Sequence, residues 1–133
     1  MYYKDDEMKD ISGDIEYKGK SYKLVFNLNV MEAIQEEFGS LDAWGELTDA
    51  KSGEPNIKAV KFGFMTMLNE GIDIENENKE VPDKPFTIKQ VGRMLTEIGV
   101  SKATQQLNDT VVESTKSADD RKNESSKTKS TQS

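Results

Sequence analysis

Between Asp14 and Phe38 the spacing of apolar residues changes from two to three-and-four, with almost no chain left over for a connection. Ile15 and Tyr17 alternate with Glu16 and Lys18, and Tyr22, Leu24 and Phe26 with Lys23 and Val25, the period of a half-buried strand. Lys18-Gly19 suits a two-residue hairpin turn, the glycine supplying a positive φ. That turn sets Ile15 opposite Tyr22 and Tyr17 opposite Lys20, so the apolar residues share one side. A lone two-stranded hairpin is marginal in water and needs a helix against that side. The chain supplies one at once. Asn29 reads as its N-cap with Glu32 three residues on, Val30, Met31, Ile34 and Phe38 form one stripe, and Gly39 reads as the stop. A hairpin running straight into an amphipathic helix leaves little room for a catalytic loop.

Further helices follow by the same periodicity. Ser40 caps a short one carrying Leu41, Trp44 and Leu47. Asn56 caps a stronger one, with Ile57, Val60, Phe64, Met67 and Leu68 on a stripe that is expected to end before Gly71. Residues 72–85 read as an acidic connection with two prolines. Thr87 precedes a helix bearing Ile88, Val91, Met94, Leu95 and Ile98, stopped by Gly99, with Gly92 at the margin of its stripe for close packing. Ser101 is the expected cap of a last helix with Val100, Ala103, Leu107 and Val111. The fold class is therefore α+β and mainly helical: an N-terminal β-hairpin packed on a bundle of four to five short helices. Residues 1–13 read as a flexible acidic arm, 14–112 as a single globular domain and 113–133 as a disordered polar tail.

Composition limits the chemistry. With neither cysteine nor histidine, the chain offers no disulfide, thiolate nucleophile, imidazole base or thiolate or imidazole zinc site. The apolar fraction of 34% falls below the usual range of about 45–50%, which also counts glycine, in keeping with an unpacked tail. Net charge is −7, which argues against nucleic acid as a partner and suits a basic protein partner. The last 20 residues carry a net +2 against −9 for the rest. No signal peptide and no apolar run long enough for a membrane span are visible, so a cytoplasmic location is expected.

Motifs add little chemistry. An EF-hand loop starting at Asp73 would place Asn78 at its glycine position and Lys84 at its final carboxylate position, and both fail. No phosphate loop, dinucleotide fingerprint or nucleophile elbow occurs. Carboxylate pairs such as Glu36 and Glu37 read as a solvated helix face. The expectation is a protein with no catalytic site, no cofactor and no metal. Three residues stand out as candidates for partner binding because each is expected to project from its stripe: Trp44, Phe62 and Met65. The plainer reading of Phe62 is that a second element, such as the hairpin, covers it, and that of Trp44 is a core or rim role.

The order of elements carries a resemblance. YKGKSYKLVFNLNVMEAIQEEFG, a short helix, AVKFGFMTMLNEG, a polar gap and FTIKQVGRMLTEIG together resemble the tail assembly chaperones of long-tailed bacteriophages and prophages. The matching positions are Tyr22, Leu24 and Phe26; Glu36 to Gly39; Leu68 and Gly71; and Thr87, Val91, Met94 and Leu95, spanning roughly residues 14–112. The resemblance implies a non-enzymatic protein of the bacterial host's cytoplasm, absent from the mature virion. It would coat the tape measure protein and help recruit tail tube protein subunits, the latter through a frameshifted longer form in many phages. Self-association is compatible with that role. The alternative reading is another small phage structural protein, a head–tail connector or minor tail component.

Overall fold

The computed structural model describes the backbone of residues 13–49 and 54–130 and the side chains of 13–49 and 54–115. The expected acidic arm lies outside the described residues except for Gly13, which begins the first strand. Strands β1 (Gly13–Tyr17) and β2 (Lys20–Leu24) pair antiparallel with Ile15 facing Tyr22 and Tyr17 facing Lys20, the register read from the sequence. Lys18 and Gly19 both have positive φ, 52° and 76°, matching the right-handed twist of the ribbon. Ile15 and Leu24 point into the core, and Tyr17 and Tyr22 pack against its edge.

Five helices follow among the described residues: α1 (Leu28–Phe38), α2 (Leu41–Leu47), α3 (Ile57–Asn76), α4 (Ile88–Ile98) and α5 (Val100–Ser130). Ser40 and Asn56 cap their helices as expected and Thr87, which precedes its helix in the sequence reading, caps it too, each accepting a hydrogen bond from the backbone N–H three residues on. Thr87 and Gln90 complete a reciprocal capping box. The cap of α1 is Asn27, which accepts from the Val30 N–H, and not Asn29. Asn29 instead joins Asn27 in donating to the Glu70 carboxylate, at 3.1 and 2.7 Å, and so ties the start of α1 to α3. A carboxylate beside a helix N-terminus is also favoured by the helix dipole.

Strand β2 and the four other helices pack on α3, whose Val60, Phe64, Met67 and Leu68 are fully buried. Gly71 does not end this helix, as its position in the sequence suggested. It lies inside it, because β2 crosses there: a Cβ on Gly71 would sit 2.5 Å from the Lys23 carbonyl oxygen. Four residues earlier the Met67 carbonyl accepts a hydrogen bond from the Val25 N–H at 3.2 Å, fastening the strand end to the helix. Gly63 has a parallel role under α2, where a Cβ would meet the Trp44 ring at 2.4 Å. Helix α4 approaches at Gly92, against the end of the Lys61 side chain. Burying each large apolar side chain stabilises the fold by about 1.5–3 kcal/mol relative to exposure.

The connection from α3 to α4 is held by two asparagines of α3. The Asn76 side chain donates to the Asp83 carbonyl and accepts from the Asp83 N–H, both at 2.9 Å. Two turns back, Asn69 does the same for Phe86, at 2.9 and 2.8 Å. Each amide side chain pairs with a backbone much as a neighbouring strand would, so the chain returns along α3. Phe86 then meets Tyr22 edge to face at 5.3 Å, linking the connection to the hairpin.

Gly99, at φ 105°, separates α4 from α5, and its carbonyl accepts the Ala103 N–H. The last helix thus begins at Val100, with Ser101 already inside it. Its backbone stays helical through Ser130, past residue 113 where composition placed the start of a disordered tail. No glycine or proline follows Gly99 to interrupt it. Among the described side chains of α5, Ala103 and Leu107 are in the apolar core and Val111 packs against it. No helix among the described residues is long and apolar enough to cross a membrane.

Candidate functional site

Three helices meet at an open groove of about 380 Å³. Helix α3 contributes Ile57, Phe62 and Met65, α4 contributes Ile88, and the charged rim is Lys58 and Lys61 of α3 with Glu37 of α1. Phe62 and Met65 are half-buried. Phe62 is held from one side by Phe38, edge to face at 5.5 Å and 76°, so α1 and not the hairpin covers it. The remaining face of the ring opens on the groove.

Ile57 and Ile88 are the residues that sequence periodicity misplaced. Both lie on apolar stripes, yet they are 51% and 39% exposed. Each is the first residue of its helix, directly after its cap. Side chains on a helix lean toward its N-terminus, so at that position they reach past the packed length of the neighbouring helix. A stripe residue immediately after an N-cap is the sequence signal that could have found them.

Of the three candidate partner residues, the fold brings Phe62 and Met65 into one groove and removes Trp44 from it. Trp44 is 1% exposed, over Gly63, and its Nε1–H donates to the Ala59 carbonyl at 2.9 Å. It is a core residue. The stripe of α2 is read correctly as regards Trp44, but Gly63, far away in sequence, is what lets the indole lie flat on α3.

Of the rim charges, Lys58 and Glu37 are exposed and Lys61 is half-buried. Lys58 and Glu37 stand 3.8 Å apart, with side chains 77% and 42% accessible, a geometry that contributes little to stability. Two groups with shifted protonation, Lys79 and Asp83, lie elsewhere, in the α3–α4 connection. The hydrogen bond from Lys79 holds the Asp83 carboxyl below its ordinary value, helped by the charges of Lys20 and Lys79. The same bond raises Lys79. Both are open to solvent, so they form a surface clasp and not a reactive pair. Among the described residues, no group of three or more acidic side chains is placed to hold a metal ion.

A second, wider cleft of about 700 Å³ lies between α2 and α5. Its apolar lining includes Leu41, Val111 and Val112, and its edges carry Asp42, Glu46 and Asp109. The two grooves therefore differ in the sign of their rims.

Comparison of the chain with protein-family models, with curated proteins and with solved structures returned no match.

Proposed function

We propose that this chain is a non-enzymatic binding protein that receives one apolar face of a partner helix in the groove between α1, α3 and α4. The observation that carries the reading is the pair Ile57 and Ile88, exposed in one groove with the half-buried Phe62 and Met65. Exposed branched aliphatic residues around an aromatic and a methionine suit a helix that presents side chains at every third or fourth position. A buried reactive group, by contrast, plays no part in the groove's lining.

The resemblance of residues 14–112 supplies the biological setting of the proposal: a tail assembly chaperone of a long-tailed phage or prophage, acting in the cytoplasm of the bacterial host. The partner would be the tape measure protein, a long helical chain, and tail tube subunits would be recruited around the complex. One shallow groove gives modest affinity, but many copies along a filament add avidity through local concentration. The test is co-expression with the tape measure protein, encoded by the longest reading frame just downstream, followed by pull-down and sizing. A soluble complex of the two is expected where the tape measure protein alone aggregates. An insoluble partner with nothing co-purifying would rule this role out and turn attention to mature particles, where a connector or minor tail component would be found.

A further inference from the structure

We infer that the helix received by this groove carries acidic residues along one edge of its apolar stripe, an inference that rests on the groove reading above. Net charge alone points the other way, since a chain of −7 attracts basic partners over long range. Contact chemistry is local, however, and the groove reverses the sign of the molecule: its lining holds two lysines and one glutamate. Lys58 and Lys61 are three residues apart, so they stand one above the other on the same flank of α3. The end of the Lys61 side chain lies against α4 at Gly92, where a Cβ would come within 3.3 Å of its Cε and 3.4 Å of its Nζ, and Lys61 also lines the groove. Lys58 is occupied only by a long, exposed pairing with Glu37 that a partner carboxylate can replace. A docked helix with Asp or Glu at matching three- or four-residue spacing would meet both ammonium groups while its apolar stripe contacts Ile57, Phe62, Met65 and Ile88. The cleft between α2 and α5, edged by Asp42, Glu46 and Asp109, would repel the same helix. Rim charges of this kind select between partners and between orientations more than they add affinity.

The probe is a pair of labelled synthetic helices sharing one Leu/Ile stripe, flanked by glutamate in one and by lysine in the other. Each is titrated by fluorescence anisotropy against the full chain at low and at high salt. The glutamate-flanked helix is expected to bind about tenfold more tightly at low salt, with the advantage shrinking as salt rises. The double variant Lys58→Glu, Lys61→Glu should invert the preference. It should still fold: Lys58 is largely in water and lies in the first turn of α3, where the helix dipole favours a glutamate, and Lys61 meets α4 at Gly92 with the end of its flexible side chain. The variant Ile57→Ser, Ile88→Ser should weaken both helices. If binding depends on Ile57 and Ile88 but the lysine-flanked helix binds equally or better, the groove stands and the acidic-edge inference is wrong. Binding that ignores the two isoleucines, or no binding by either helix, overturns the groove reading together with it.

Discussion

Asn69 and Phe86 hold each other by two hydrogen bonds, the Asn69 amide donating to the Phe86 carbonyl and its oxygen accepting the Phe86 N–H, at 2.9 and 2.8 Å. Ile88 follows two residues later, so this clasp sets where one wall of the groove begins. Replacing Asn69 by alanine removes both bonds and leaves a half-buried backbone pair to find water. The expected loss is about 1–3 kcal/mol, read as a fall in the thermal midpoint. Asn76→Ala, acting on an exposed pair, should cost less than Asn69→Ala.

Gly63 is required by Trp44. A methyl group there would lie 2.4 Å from the indole, and the ring cannot retreat without giving up its bond to the Ala59 carbonyl. Gly63→Ala gains about 1 kcal/mol of helix propensity, and overpacking costs about 1–3 kcal/mol. A net destabilisation is expected in denaturant unfolding. Gly92→Ala faces only the flexible end of Lys61 and should be neutral or slightly stabilising.

The Asp83 carboxyl should titrate below an ordinary carboxylate, chiefly because Lys79 donates a hydrogen bond to it at 2.5 Å. With the folded value below the unfolded one, its contribution is present above the unfolded value and is lost as pH falls through the folded one. Lys79, raised by the same bond, contributes below the ordinary lysine value and loses that contribution as pH rises through its raised one. NMR titration of the carboxyl in Lys79→Gln should show the Asp83 midpoint moving up toward normal. An unmoved midpoint would assign the shift to Lys20 instead.

How much of this was legible in the sequence varied with distance along the chain. The hairpin register and the Ser40, Asn56 and Thr87 caps are local, and the pattern of a few residues decides them. The first cap is expected at Asn29 and falls at Asn27, since both asparagines in F-N-L-N suit the role and only the turn at which the helix begins, with the Val30 N–H bonded to the Asn27 side chain, decides between them. Gly71 looked like a helix end because a glycine that stops a helix and one that admits a crossing strand are the same letter. Half of the candidate site was visible as Phe62 and Met65. The other half, Ile57 and Ile88, was hidden in stripes that read as core, because periodicity gives direction around a helix but not how far its neighbour extends. Trp44 failed as a partner residue for the converse reason: its cover comes from Gly63 and α3, which spacing within α2 does not reveal.

Substitutions in the groove separate folding from binding only if chosen by exposure. Phe62→Ser removes an aromatic contact with Phe38 and should lower the midpoint appreciably, so a binding loss there is ambiguous. Ile57→Ser and Ile88→Ser alter side chains that are already 51% and 39% exposed and should cost about 1 kcal/mol each.

The measurement that tests the groove most directly is therefore a pull-down of the tape measure protein by the wild-type chain and by Ile57→Ser, Ile88→Ser, with thermal melts of both proteins alongside. The expected result is a partner held by the wild type and lost by the variant, with the two midpoints close together. Equal capture by both would contradict the assignment of this groove as the docking surface.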